Sequence, residues 1–233
     1  DPAFLGKGEG PEYRNIALIG AGCGIDNISA IARISYLCDE MGIDTLSFGA
    51  AVACAMELTE RKIISKKETG MTLNFGNAEA VLEMVEKVAS RQGFGELLAE
   101  GGYQLALRYN HPEYFMGVRK QGTPAFDPRG VQGLCLEYAT SNSGVSHSIG
   151  YLVTHKMLGI RGEVDTQAIE GKAPLVKLFQ DGNAVFDAAG LCRLLLLGIW
   201  VEEIVPMLKS ATGISYTEDE LLTAGERIWN LER

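Results

Sequence analysis

Apolar residues recur at three- and four-residue intervals along nearly the whole chain, and no segment sustains the two-residue alternation of a half-buried strand. Asp26 or Asn27 can cap a helix that carries Ile28, Ile31, Ile34, Leu37 and Met41 on one face, with Gly42 just past its end where a left-handed residue is wanted. A second pattern runs from Thr45 to about Lys62, a third opens on Asn77 and stops by Gly93, and a fourth covers Phe94 to Tyr109. Pro112, Gly117, Gly122, Pro124 and Pro128 then interrupt the periodicity, which places a domain boundary near residue 117. Helical patterns resume over 130–141, 165–180, 183–189, 193–211 and 217–231, the last behind the capping box Thr217-Glu218-Asp219-Glu220. The expectation is an all-α, multihelical fold in two helical domains, 1–117 and 118–233.

With 233 residues, 46% hydrophobic and 22% charged, the chain can bury a sizeable core and is not a disordered segment. Thirty acidic residues against 21 basic ones give a net charge of −9, which argues against nucleic acid or an anionic membrane surface as partner. The longest apolar stretch, Leu194 to Val201, contains Gly198 and is far short of the ~20 residues of a spanning helix. Five scattered cysteines, Cys23, Cys38, Cys54, Cys135 and Cys192, form no C-x-x-C pair, so a disulfide framework is not expected and a cytoplasmic location is. The opening stretch, Asp1 to Gly10, lacks a Met and reads as the middle of a longer protein.

Two short segments share the lettering D-x-x-G-[I/L]-[D/C]: Asp39-Glu40-Met41-Gly42-Ile43-Asp44 and Asp187-Ala188-Ala189-Gly190-Leu191-Cys192. Each falls where one helix ends and another begins. A glycine with positive φ there bares carbonyls at the negative end of the helix dipole, beside an Asp carboxylate. Such an acceptor-rich corner suits a flat ligand rich in N–H donors, such as a pterin; it is equally the ordinary way to stop a helix. Between the two, Glu137-Tyr138-Ala139-Thr140-Ser141-Asn142-Ser143-Gly144-Val145-Ser146-His147-Ser148 crowds small hydroxylated residues around one His. That composition can orient a proton-carrying imidazole, or simply make a polar interhelical loop. His111 reads as loop, and His155 as surface or satisfied core. Cys192 is either a buried small hydrophobe or a ligand whose partners lie outside this chain, since an iron–sulfur cluster takes four. No H-E-x-x-H, G-x-S-x-G, Walker or Rossmann pattern is present.

These residues resemble the C-terminal helical part of the tungsten-containing aldehyde ferredoxin oxidoreductases, nearly end to end. Besides the paired corners, which match the family's pterin-binding motifs, the resemblance is carried by Gly10-Pro11-Glu12-Tyr13, by Phe126-Asp127-Pro128-Arg129-Gly130, by Glu137 to Ser141, and by Gly225-Glu226-Arg227-Ile228 with Leu231-Glu232-Arg233. The resemblance implies a tungsten (or molybdenum) bis-pterin and a [4Fe–4S] cluster. Asp39, Ile43 and Asp44 would contact one pterin, and Asp187 and Leu191 the other. Cys192 would be a metal ligand, the fourth thiolate of the cluster, with the other three cysteines outside this chain. The resemblance makes His147 and Glu12 the catalytic candidates: His147 would exchange protons near the metal, and Glu12 lies near the family's acidic segment.

The implied activity is oxidation of an aldehyde to a carboxylic acid with ferredoxin as electron acceptor. The absent N-terminal domain of the same protein would be the main partner, and the isolated piece would be inactive. Arg14 stands where the family commonly has a Glu, and a guanidinium cannot act as a base. It motivates an alternative within the family, reduction of an aromatic acyl-CoA thioester or action on another acyl substrate. A third reading is a helical assembly module without chemistry. A homodimer is compatible with the resemblance, although no Glu/His pair of the kind that bridges some members through a metal is found.

Overall fold

The computed structural model describes residues 8–146 and 165–233. By its internal contacts the chain divides into two units, Asp1–Ala125 and Phe126–Arg233.

In the first unit, α1 (Tyr13–Asn15) runs directly into a π-helical turn, Ile16–Gly20, and a 3-10 turn, Ala21–Cys23. The sequence pattern assigns no helix here, because a π turn spaces its apolar residues differently from an α-helix. Next come α2 (Ile28–Met41) and α3 (Thr45–Glu60). Asn27, not Asp26, caps α2, its side chain accepting from the Ser29 and Ala30 amides. Thr45 Oγ1 donates to Asn15 Oδ1 at 2.9 Å, both residues buried, and ties the start of α3 to α1. The short α4 (Lys66–Thr69) and α5 (Ala78–Ala89, capped by Asn77) come after it in the chain. The single pattern over 94–109 proves to be two helices, α6 (Phe94–Ala99) and α7 (Gly102–Arg108), separated at Gly101, whose φ is +93°. Ile19, Ile34, Val52, Met56, Leu73 and Leu105 are among the residues that fill the core.

A two-residue hairpin, β1 (Gly117–Val118) with β2 (Gln121–Gly122), closes this unit. It packs on α3 and α7, so the division between units falls after Ala125, beyond the first breakers near 117.

Among its described residues the second unit carries a 3-10 turn Pro128–Gly130, α8 (Gln132–Thr140), α9 (Lys172–Ala188), a 3-10 segment Arg193–Leu197, α10 (Val201–Thr212) and α11 (Glu218–Glu232). Residues 165–171 precede α9 rather than belong to it, and the expected break at Asp181-Gly182 does not occur. Gly182 serves there as a gap in the helix surface. A Cβ on it would lie 2.5 Å from the Trp200 ring, which also meets Phe179 edge to face at 5.3 Å. The 193–211 pattern divides at Gly198 into the 3-10 segment and α10. Thr217 forms its capping box as expected, with Glu220 N–H donating to Thr217 Oγ1 at 3.2 Å and Thr217 N–H to Glu220 at 2.8 Å. Across the α9–α11 contact, Lys177 Nζ reaches Asp181 at 2.6 Å and Glu226 at 3.2 Å. Burial pushes the Asp181 carboxyl up, against the pull of that lysine.

Candidate functional site

Both D-x-x-G segments fold into the same corner. At the end of α2, Gly42 takes φ +67°, its N–H donates to Asp39 O at 3.2 Å, and Ile43 N–H donates to Cys38 O at 2.8 Å. At the end of α9, Gly190 takes φ +71°, its N–H donates to Asp187 O at 3.0 Å, and Leu191 N–H donates to Phe186 O at 2.9 Å. The sixth residue of each motif then caps the next helical element. Asp44 accepts the Ser47 amide at 2.7 Å at the start of α3, and Cys192 is the N-cap of the 3-10 segment. Ile43 and Leu191 are half-buried and anchor the corners to their cores. Asp39, Asp44, Asp187 and Cys192 are exposed or half-exposed.

Sequence alone does not reveal how the second Asp side chain is held. Arg193 closes on Asp187 as a fork, Nε to both carboxylate oxygens at 2.9 and 3.1 Å and Nη2 to Oδ2 as well. The Asp187–Arg193 pair lines a cleft of about 590 Å3 within the second unit, together with Asn142, Ser143, Asn183 and Trp229. The second corner and the hydroxyl-rich loop, separate signals in the sequence, thus share one wall. The loop's described residues are tied down at α8 and at Asn142. Tyr138 donates to Phe126 O at 3.0 Å, Gln180 donates to Thr140 Oγ1 at 2.8 Å, and Asn142 donates to the Glu232 carboxylate. His147 and His155 lie outside the described residues. Asn183 and Trp229 escape a sequence reading because each looks like helix interior; Arg193, directly after the motif, is the signal available.

Glu12 is exposed and paired, Arg14 Nη2 donating to its two oxygens at 2.9 and 3.0 Å. The Asn15–Thr45 hydrogen bond sets this pair near the start of α3, close in sequence to Asp44.

Burial sorts the cysteines. The Cys23 and Cys38 thiols are pushed up to about 12 and Cys54 to about 11, so none of the three offers a thiolate. Cys135 and Cys192 are exposed, and of these Cys192 sits in a corner. Among the described residues no three His, Cys, Asp or Glu side chains gather as a metal site. One thiolate with partners elsewhere is what this chain can contribute to a cluster. The corners also fit a flat, donor-rich ring. Each sets an exposed Asp carboxylate beside the carbonyl end of a helix, the acceptor set such a ring requires.

In the Phe126–Gly130 turn, Asp127 accepts the Arg129 amide at 2.9 Å and its guanidinium Nε at 3.0 Å, which holds the carboxyl down to about 2. The support this pair gives the turn is present above the usual carboxylate range and is lost as pH falls through about 2. Carboxyl NMR titration should find Asp127 there, and Arg129→Ala should return it toward the ordinary Asp range; an unshifted Asp127 in the parent would contradict the pairing.

A family model described as aldehyde ferredoxin oxidoreductase, domains 2 and 3, matches residues 2–233. The tungsten-containing aldehyde ferredoxin oxidoreductase of Pyrococcus horikoshii is 44% identical over 98% of this chain, and that of Thermococcus kodakarensis 41% over 98%. The chain spans 39% and 38% of the length of these two relatives. A solved chain from the active-site complex BamBC of benzoyl coenzyme A reductase, with 1,5-dienoyl-CoA, shares the fold at a TM-score of 0.74. It is 18% identical, and the match covers 95% of this chain and 40% of that one. The fold and the matched family model define the chain as a pair of helical domains of one oxidoreductase family's type. The chain belongs to the aldehyde ferredoxin oxidoreductase family. No single helix among the described residues is long and apolar enough to cross a membrane.

Proposed function

We propose that this chain is the helical part of a cytoplasmic tungsten (or molybdenum) bis-pterin enzyme that oxidises an aldehyde to a carboxylic acid and hands the electrons to ferredoxin. The observation that carries the reading is the repeated corner, two motifs in different units closing the same pair of backbone hydrogen bonds around a left-handed glycine. The metal–pterin centre, when bound, supplies the two-electron oxidation, and the [4Fe–4S] cluster the one-electron exit.

This chain's own residues bind and orient. Asp39 and Asp187 accept N–H donors of the two pterin rings, assisted by the main chain at Ile43, Asp44 and Leu191. Arg193 fixes the Asp187 carboxylate in one orientation, so less freedom is lost on binding. Cys192 would hold the cluster through its thiolate. His147 takes up or returns the proton released as the aldehyde is oxidised. Arg14 pairs with the exposed Glu12 carboxylate.

The test is the full-length protein with Asp39→Asn or Asp187→Asn. Each change removes one charged hydrogen-bond acceptor, worth about 1.5–3 kcal/mol, or roughly ten- to a hundredfold in affinity. Pterin released per chain should fall in both variants, and aldehyde-dependent dye reduction with it. Unchanged pterin content in both would refute the assignment of the corners.

A further inference from the structure

We propose that the first unit carries a separate small-molecule site, a cleft on the outer face of α3 that takes a small amphipathic ammonium: an apolar body with one cationic N–H head. The cleft holds about 510 Å3, within the range of roughly 300–1,000 Å3 typical of ligand sites, and lies wholly inside this unit. Its floor is made by Leu18 and by the small side chains of Ala50, Ala53 and Cys54. The α3 residues follow the three- and four-residue spacing of one helix face, and their small size gives the cleft depth. Phe75 and Met116 stand on its rim, 39% and 74% exposed, and offer apolar surface that nothing among the described residues of this unit covers.

One end of the cleft is charged, and the sign there decides the ligand. Arg61 Nε donates to Glu57 at 2.6 Å, and its guanidinium lies 4.1 Å from the centre of the Tyr114 ring. Its charge is therefore already met by a carboxylate and an aromatic face. Glu113 adds a second carboxylate, backed by His111 Nδ1 at 2.8 Å, and the His111 ring stacks on Tyr114 at 5.3 Å. Two carboxylates, Glu57 and Glu113, thus accompany one guanidinium at this end of the cleft. An ammonium is welcomed there and a carboxylate is opposed. None of the corner residues lines this cleft, so the site does not depend on the reading of the corners.

The experiment is isothermal titration of the full-length protein with phenethylammonium and with 3-phenylpropionate, its carboxylate counterpart of similar size, at mildly alkaline pH. The expected result is one saturable site per chain for the ammonium, with the carboxylate at least about tenfold weaker. Ala53→Phe fills the floor and should abolish binding. Phe75→Ala, at an exposed position the fold tolerates, removes part of a wall and should weaken binding about tenfold. Pterin content should stay at the parent level in Phe75→Ala. Absence of saturable binding, as when another segment of the full-length protein fills the cleft, overturns the proposal. So does equal affinity for both probes, or parent-like affinity in both variants.

Discussion

Removing the Cys192 thiol from the full-length protein is expected to strip it of its iron–sulfur cluster while the fold stays in place. On the ligand role proposed above, Cys192→Ala takes away one of four thiolates, and a cluster held by three loses iron or degrades on exposure. Iron should fall from about four atoms per chain toward none, and ferredoxin-coupled turnover should fall with it. The position makes the test clean. The Cys192 side chain is exposed, forms no side-chain cap hydrogen bond, and contributes to the local structure through its carbonyl, which accepts Leu195 N–H at 3.0 Å. Alanine keeps that carbonyl, so far-UV circular dichroism should hardly move, and any drop in melting temperature should follow the loss of the bound cluster rather than of local structure. Cys135→Ala, at the other exposed thiol, is the matched control and should keep full iron. If Cys192→Ala retains its iron and its activity, the ligand assignment is wrong.

Short-range chemistry decides which features a sequence makes legible. The caps at Asn27, Asn77 and Thr217 are visible because a side chain bonding an amide two or three residues on needs no help from the rest of the fold. The corners at Gly42 and Gly190 are visible for the same reason. Gly182 reads as a helix stop because a glycine that ends a helix and one that lets a ring approach look alike until the ring is placed. Here the ring belongs to Trp200, beyond the second corner. The π turn over Ile16–Gly20 is invisible because its spacing fits neither helix nor strand template. In the site, the corner residues are legible and the grip of Arg193 on Asp187 is not. Six residues apart is no helical neighbour spacing, and only the turn at Gly190 folds the guanidinium back onto the carboxylate. The convergence of Ser143 with Asp187 on one cleft likewise depends on how α8 meets α9.

Gly225→Val should damage the second unit severely. Gly225 is where α11 crosses α9 almost backbone to backbone. A Cβ there would sit 2.1 Å from the Asp181 carbonyl oxygen, 2.9 Å from the carbonyl carbon and 3.1 Å from Val185 Cγ2. Carbon–oxygen contacts normally stop near ~3.3 Å, so the helices must part by about an ångström. Two effects compete for the milder Gly225→Ala change. Helix propensity favours alanine by about 1 kcal/mol. Overpacking costs about 1–3 kcal/mol, and toward the upper end here, since a carbonyl locked in a helix cannot rotate aside as a side chain could. The clash should win, leaving Gly225→Ala less stable by about 1–2 kcal/mol. Valine adds two methyls and gains less propensity, so its loss should reach about 3 kcal/mol, a drop in melting temperature of about 6–12 °C for a chain of this size.

Thr223→Val, on the solvent side of α11 away from the crossing, should stay within about 0.5 kcal/mol of the parent. The damage from Gly225→Val should also reach the site. α9 carries Asp187 at its end, Trp229 of α11 lines the same cleft, and Lys177 bridges the crossing to Glu226. Helices forced apart at Gly225 would pull the two walls of that cleft out of register, so pterin retention should fall together with stability. A Gly225→Val protein that melts with the parent would mean the two helices do not cross so closely, and the shared wall between the second corner and the hydroxyl-rich loop would lose its support.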